Sequence, residues 1–338
     1  MKPILGRDEA ASMNNNDGIV IGIDGGGTST RILVSDLEGQ VLSYVNAGPA
    51  SIHKDLEAKR HVNEGIIQAV QLADRQLGQV HGLAAGIAGY DSPSDLEWVE
   101  SLTDVEGLTC PKWHFNDAIA AHYGAHMTKP GIIAISGTGS TVAGITEERH
   151  FIRNYDFYHY AASAARFIAY DCVYEVLAGQ TDESDSGMVN VILQHWGVDS
   201  LDSFYKIAQV GFAEDRRERD RVFGELAPVI TDAASEGSHL ACKVCDHAMD
   251  QIKVGIELLA SAFSSDNVDV ALIGSVLNSA YFQEGMELRL RSGRNKSFEI
   301  IQPRFAPVGG AVLHALNQLG IHPDKRITDN LESNRHAR

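Results

Sequence analysis

Ile21-Gly22-Ile23-Asp24-Gly25-Gly26-Gly27-Thr28-Ser29-Thr30-Arg31-Ile32-Leu33-Val34 is the stretch from which the rest of the chain can be read. The apolar run from Ile19 to Ile23 has the length and composition of a buried strand. It ends in an aspartate and three glycines, and a second β-rich run, Arg31 to Ser35, follows at once. Three consecutive glycines support no regular element but allow a tight turn. Backbone N–H groups of such a turn converge on one point and form an anion cradle without lysines. Thr28, Ser29 and Thr30 add hydroxyls beside it. Asp24, at the strand end, is placed to hold a hydrated Mg²⁺ near bound phosphates. Taken alone, the stretch also reads as a glycine-rich hairpin with one capping aspartate. It is neither a Walker A loop, which needs Gly-Lys-Ser/Thr, nor a dinucleotide fingerprint, in which a helix follows the glycines.

The same plan recurs at Ile132-Ile133-Ala134-Ile135-Ser136-Gly137-Thr138-Gly139-Ser140-Thr141-Val142-Ala143-Gly144-Ile145. Apolar strand, Gly/Thr/Ser turn and second strand appear in both halves, which argues for an internally duplicated fold. Two such turns suit the two ends of a polyphosphate.

A chain of 338 residues is long enough for two domains, and 44% apolar residues supply their cores. The net charge of −17 argues against nucleic acid or an anionic membrane as partner. It also means that a phosphate site must rely on local dipoles and metal. No apolar run approaches the ~20 residues that cross a bilayer. Four cysteines, Cys110, Cys172, Cys242 and Cys245, are too few for a secreted disulfide scaffold. They read as structural thiols of a cytoplasmic protein.

Met1 to Asp17 is polar and reads as a loose leader. Strands are expected over Gly18–Asp24, Arg31–Asp36, Val41–Ala47, Val80–Gly89 and Trp113–Phe115. Helices are expected over Asp55–Gln76, Asp95–Leu102 (with Ser94 as N-cap) and Ala118–His126. The boundary of an N-terminal domain, 18–128, falls at Thr128-Lys129-Pro130-Gly131. The second domain, 129–320, starts with two strands and turns helical, with a long helix over Leu240–Ser264 and a single one over Arg217–Ser235. It closes with strands at Val268–Gly274 and Phe298–Ile301 and a helix over Ala306–Leu319. The tail, 321–338, is charged, poor in apolar residues and reads as mobile.

Asp117 stands where a strand ends and a helix begins, the place where ligands collect in α/β sheets. A carboxylate there can take the proton of an alcohol attacking a γ-phosphate; Asn116 or Asp117 would equally serve as a helix cap. Gly274-Ser275 after a buried strand gives an adenine ring room against backbone, or is a plain turn. Ala233-Ala234-Ser235-Glu236-Gly237 is a second wall for a base, or a glycine C-cap. Tyr158, His159, Tyr160 and Arg166 are a polar-aromatic cluster that either packs a helix start or lines a substrate site.

In this order the motifs resemble the acetate and sugar kinase/Hsp70/actin superfamily, and within it the BadF/BadG/BcrA/BcrD-type ATPases and N-acetylglucosamine kinases. Asp24-Gly25-Gly26-Gly27-Thr28 and Ser136-Gly137-Thr138-Gly139-Ser140 match the two phosphate motifs. Phe115-Asn116-Asp117-Ala118 matches the segment of the catalytic aspartate, Ile273-Gly274-Ser275-Val276 the adenosine motif, and Pro307-Val308-Gly309-Gly310-Ala311 the closing helix. The resemblance covers Gly18 to about Leu319. It implies an α/β fold of two ribonuclease H-like (actin-like ATPase) domains with a nucleotide cleft between them. It implies transfer of the γ-phosphate of Mg-ATP to a hydroxyl of an amino sugar or related hexose derivative, in a protein that acts alone or as a homodimer. Asp117 would be the base and Asp24 the metal residue. Gly25, Gly26, Gly27, Thr28, Gly137, Thr138, Gly139 and Ser140 would line the phosphates, with Ala234, Gly274 and Ser275 near adenosine. Ser51, His53, Asn116, Thr138 and His159 would face the sugar.

Two positions depart from the family. Ser51 stands where an asparagine is expected, and Tyr160-Ala161-Ala162-Ser163-Ala164 replaces a Gly-Asp-Glu-Gly-Ser segment whose aspartate helps bind the sugar. The acceptor is therefore left open. The alternative is a BadF-type ATPase acting as activator or sensor of a partner protein; some such activators hold an iron–sulfur cluster, for which Cys242 and Cys245 are the only close pair.

Overall fold

The first sheet grows from the hairpin. In the computed structural model, which describes residues 17–52 and 55–338, β1 (Ile19–Gly25) pairs antiparallel with β2 (Thr30–Asp36), and β2 with β3 (Val41–Ala47). Nearly all of the expected leader, and His53, lie outside the described residues. The helix α1 (Ala58–Leu72) carries the chain to β4 (Val80–Ile87), parallel to β1. The short helix α2 (Leu96–Ser101) then leads to β5 (Lys112–Asn116), parallel to β4, and α3 (Asp117–His126) follows without a break. The strand order is β3-β2-β1-β4-β5. α2 starts differently from expectation. Asp95 accepts a hydrogen bond from the backbone N–H of Ser92 at 2.8 Å, so Ser92, not Ser94, opens this turn.

Alternate residues of a strand face opposite sides of the sheet, and β1 serves two cores. Ile19, Ile21 and Ile23 pack with Val62, Ile66 and Val70 of α1. Val20 packs on the other side with Phe115, Ala120 and the C-terminal part of the chain. Asp24 has the parity of Val20 and therefore belongs to the face that carries α3.

The second unit repeats the plan. β6 (Gly131–Ser136), β7 (Ser140–Ile145) and β8 (Phe151–Arg153) form the antiparallel part. A helical stretch follows: α4 (Ala165–Leu177), α5 (Ser186–His195), α6 (Leu201–Gln209), α7 (Arg216–Gly224), α8 (Ala227–Ser235) and α9 (His239–Ala260). Then β9 (Asn267–Ile273) joins β6 in parallel, α10 (Ala280–Arg291) crosses over, and β10 (Ser297–Ile301) joins β9. The order β10-β9-β6-β7-β8 is that of the first sheet, element for element. The single helix expected over Arg217–Ser235 is broken into α7 and α8, with Pro228 in the first turn of α8.

The domain boundaries differ from the sequence reading at the C-terminus. The chain divides into one unit up to Met127 together with Arg304–Arg338, and a second over Thr128–Pro303. The last helices, α11 (Pro307–Gln318) and α12 (Lys325–Glu332), thus return to the first unit. The expected mobile tail is folded: Ile327, Leu331 and Ala337 are buried with α11, and His336 stacks on Tyr44 at 4.0 Å between ring centroids. Apolar residues are few here, but Ile327 and Leu331 are one turn apart and share a face. Replacing both by alanine should lower stability by several kcal/mol, at about 2–5 each for a buried aliphatic side chain, as read by urea denaturation. An unchanged midpoint would contradict the buried tail.

Candidate functional site

In the first unit the functional residues gather at one end of the sheet. Register aligns Asp24 with Gly86 and Gly86 with Phe115, so Asp24 and the start of α3 lie at the same strand ends. The glycine turn closes through Gly26 N–H donating to Ser29 O at 2.9 Å. Its flank is pinned by Ala50 N–H on Gly26 O at 3.1 Å and Ala88 N–H on Gly25 O at 2.8 Å. Thr28 is exposed at the tip, whereas Thr30 is buried and its hydroxyl donates to Gly48 O at 2.7 Å. Thr30 therefore shapes the turn and does not present its hydroxyl. Ser51 is buried directly after Ala50. Arg31 Nη1 donates to Asp24 Oδ2 at 2.8 Å. Arg31 escaped the sequence reading, although a hairpin centred on Gly27 and Thr28 sets it opposite Asp24. Burial raises the Asp24 pKa above its ordinary value, and the Arg31 charge offsets part of that.

Asn116 is the N-cap of α3: its Oδ1 accepts from Ala118 N–H at 3.0 Å. Its Nδ2 donates to Tyr90 O at 3.1 Å and to Asp91 Oδ1 at 3.2 Å. Capping is thus a role the structure gives Asn116, and Asp117 shares it: its Oδ1 accepts from the same Ala118 N–H at 2.9 Å. The Asp117 carboxyl is pushed up to about 6, first by burial and then by the charge of Asp24, with Asp91 adding to it. A half-buried aspartate beside a second carboxylate at a strand end has the protonation behaviour of a general base working near neutral pH.

In the second unit the turn is closed by Gly137 N–H on Gly139 O at 2.9 Å, leaving Thr138 and Gly139 exposed. Gly274 lies against it with φ +105°; a Cβ there would come within 2.2 Å of Ser136 O, so only glycine fits. Val276 N–H donates to Ser136 O at 3.1 Å, and the exposed Ser275 follows Gly274. The sequence-predicted Gly137, Thr138, Gly274 and Ser275 are thus brought together. Ala234 is buried in the core of the second unit, and Gly237, at φ +91°, closes its helix. The His159 ring packs on Gly255 of α9 with both ring nitrogens buried, so it is turned inward. Cys245 is buried in the same core and Cys242 Sγ donates to Ala234 O at 3.4 Å, so this pair sits in helix packing. No helix is long and apolar enough to cross a membrane among the described residues.

The model of the BadF/BadG/BcrA/BcrD ATPase family matches residues 21–315. The chain belongs to that family. Its family is one of ATPases, which implies use of ATP. A curated relative, the N-acetylmuramic acid/N-acetylglucosamine kinase of Clostridium acetobutylicum, is 25% identical over 77% of this chain and 86% of its own length. The glucosamine kinase of Vibrio cholerae is 24% identical over 76% of this chain and 84% of its own. Among solved structures, a glucokinase of the ROK family from Streptomyces griseus, in complex with glucose and AMPPNP, has the same fold. It aligns with a TM-score of 0.57 at 19% identity, over 88% of this chain and 98% of that one.

Proposed function

We propose that the protein is an ATP-dependent sugar kinase that phosphorylates a hydroxyl of an amino sugar or a related hexose derivative. The observation that carries the reading is Asp117: half-buried, at a strand end, with a pKa near 6 and the phosphate-turn aspartate close enough to raise it. The named activities of the curated relatives support the acceptor class.

Asp117 accepts the proton of the acceptor hydroxyl while that oxygen bonds to the γ-phosphorus and the bond to the ADP oxygen breaks. The glycine turns bind phosphate oxygens through backbone N–H groups. Asp24 fits Mg²⁺, which takes one or two carboxylates and would complete its shell with phosphate and water oxygens. When bound, the ion would offset charge on the transferring phosphate. Arg31 holds the Asp24 carboxylate in place.

The test is a panel of hexosamines and N-acylated hexosamines incubated with Mg-ATP, with products read by mass spectrometry. A phosphorylated amino sugar is expected, and none from any sugar while ATP still binds would overturn the proposal. With the product identified, kcat/KM should rise about tenfold per pH unit below pH 6 and level off above it, because only ionised Asp117 accepts a proton. A flat profile between pH 5 and pH 7 (~10-fold rise expected) would remove Asp117 as the titrating base.

A further inference from the structure

Helix α4 starts against the second phosphate turn and is fastened to it. Ala165 N–H donates to Gly137 O at 2.8 Å, Ser136 Oγ donates to Ser163 O, and Arg166 Nη1 donates to Thr138 O at 2.8 Å. We infer that Arg166 binds phosphate oxygens of the nucleotide at this turn, supplying a full positive charge that backbone N–H groups do not carry. The inference rests on the reading in which the turn holds phosphates of ATP, and it adds a residue to that site.

The guanidinium is held on three sides. Nη1 is bound to Thr138 O, Nε lies 3.7 Å from Asp220 Oδ2 of α7, and Cζ sits over the Phe167 ring, 4.2 Å from its centroid. Nη2 has no hydrogen-bond partner among the described residues. Arginine presents its five N–H donors in a rigid fork, so fixing one edge fixes the direction of the other. Little side-chain freedom is then left to lose when a ligand binds. Asp220 does not serve Arg166 alone: it also accepts from the Tyr170 hydroxyl at 2.8 Å, and Arg216 Nε lies 3.9 Å away. The Arg166 side chain is 26% exposed, so a ligand can reach a charge that water screens only in part.

The surroundings of Arg166 favour an anion. α4 has 13 residues, yet its N-cap, Ala164, offers no side-chain cap, and its first turn holds no acidic residue. The positive end of a helix is ordinarily met by such groups. Ser163, directly before the cap, is 1% exposed, and its Oγ has no hydrogen-bond partner. A buried hydroxyl left unpaired costs free energy unless a ligand oxygen or a water takes it. A guanidinium edge, an uncapped helix start and an unpaired donor thus lie beside a turn whose tip, Thr138 and Gly139, is exposed.

A polyphosphate needs such a charge here. The chain carries a net charge of −17, which repels it overall. Between Gly131 and Ala165 the other arginines are engaged elsewhere: Arg149 donates to Thr128 O, and Arg153 pairs with Asp156 at 3.2 Å. Gly274 of the adenosine motif lies against Ser136 in the same turn. The phosphates of a nucleotide, rather than a free phosphate, are therefore what Arg166 is placed to meet.

The experiment is calorimetric titration of the full chain with Mg-ATP and with adenosine. Arg166→Gln keeps a donor near Thr138 O but no charge. It should bind Mg-ATP about 10- to 100-fold more weakly, the scale of a charge-assisted hydrogen bond, and adenosine equally well. Arg166→Lys, with the charge but without the fork, should fall between the two. Salt separates contact from bracing, because an ionic contact is screened: Mg-ATP affinity should fall more steeply with added KCl in the parent than in Arg166→Gln. Unchanged Mg-ATP affinity in Arg166→Gln would overturn the inference. So would an equal loss of adenosine affinity, or a loss that leaves the salt dependence as in the parent, since either would make Arg166 a brace of the turn. If Arg166→Gln melts too low to titrate, the same comparison of ligands and salt is made with Arg166→Lys, where affinities and salt dependence equal to the parent's would count against the fork. The measurement reads binding, so it separates from the kinase reading. Arg166-dependent Mg-ATP binding without transfer to any sugar would leave the residue and remove the kinase; transfer by a variant with the parent's Mg-ATP affinity would do the reverse.

Discussion

Asp117→Asn should lower phosphoryl transfer by about 10²- to 10⁴-fold while ATP affinity stays within about twofold, the usual range for loss of a general base. In barrier terms this is about 3 to 5 kcal/mol. The side chain keeps its shape, and an amide oxygen can still accept the Ala118 N–H that Asp117 Oδ1 accepts at 2.9 Å. The same substitution should stabilise the fold. The Asp117 pKa is near 6 in the folded chain, against an ordinary 3.8. Folding therefore favours the protonated form, and this contribution to stability is present below about pH 4 and lost as pH rises through 6. At pH 8 the ionised carboxylate opposes folding by about 3 kcal/mol, the equivalent of roughly two pKa units. Asparagine carries no charge, so the variant should melt higher than the parent at pH 8 and equally at pH 4. Undiminished transfer would remove Asp117 from the chemistry. Equal melting at both pH values would show that the Asp117 pKa is not raised in the folded chain.

Local features of the site were legible because they are written in consecutive residues. The turns at Asp24–Thr28 and Ser136–Ser140 need small residues between apolar strands, and each such run carries its own geometry. Their repetition announced the duplicated sheet. The roles of Asn116 and His159 were not legible. Whether Asn116 caps α3 or faces a ligand depends on Tyr90 and Asp91, which the fold brings to its amide. Whether His159 points outward depends on the space left by Gly255. The return of α11 and α12 to the first unit was missed for a related reason. Their partners, Val20, Leu33 and Phe115, are far away in sequence, and the periodicity of a helix does not say which sheet it covers. Arg31 is the intermediate case: hairpin register, had it been counted outward from the glycines, sets it across from Asp24.

Gly310→Ala should cost both stability and activity, and for one reason. α11 approaches α3 so closely that a Cβ on Gly310 would lie 2.2 Å from Ala120 O and 2.4 Å from Gly124 N. Both neighbours are backbone, so no side chain can turn aside. Neither helix is free to retreat. Val308, Ala311, Val312, Leu313, Ala315 and Leu316 bury α11 on the sheet, and Ala120 and Phe305 close the other side. Relief requires the helices to part by about 1 Å, at the upper end of the ~1–3 kcal/mol that overpacking usually costs. α3 begins at Asp117, so the shift reaches the proposed base. A displacement of ~1 Å in a reacting group can lower the rate about 10²-fold. Gly187→Ala is the counterpart: it lies in helix α5 with nothing within 4 Å of the added carbon. There the change should raise stability by about 0.5–1 kcal/mol, the ordinary helix preference for alanine over glycine, and leave transfer unaltered. Urea denaturation and the transfer rate of the two variants side by side separate close approach from glycine's backbone entropy. If Gly310→Ala folds as firmly as the parent and transfers phosphate as fast, the contact between α11 and α3 is not what positions Asp117.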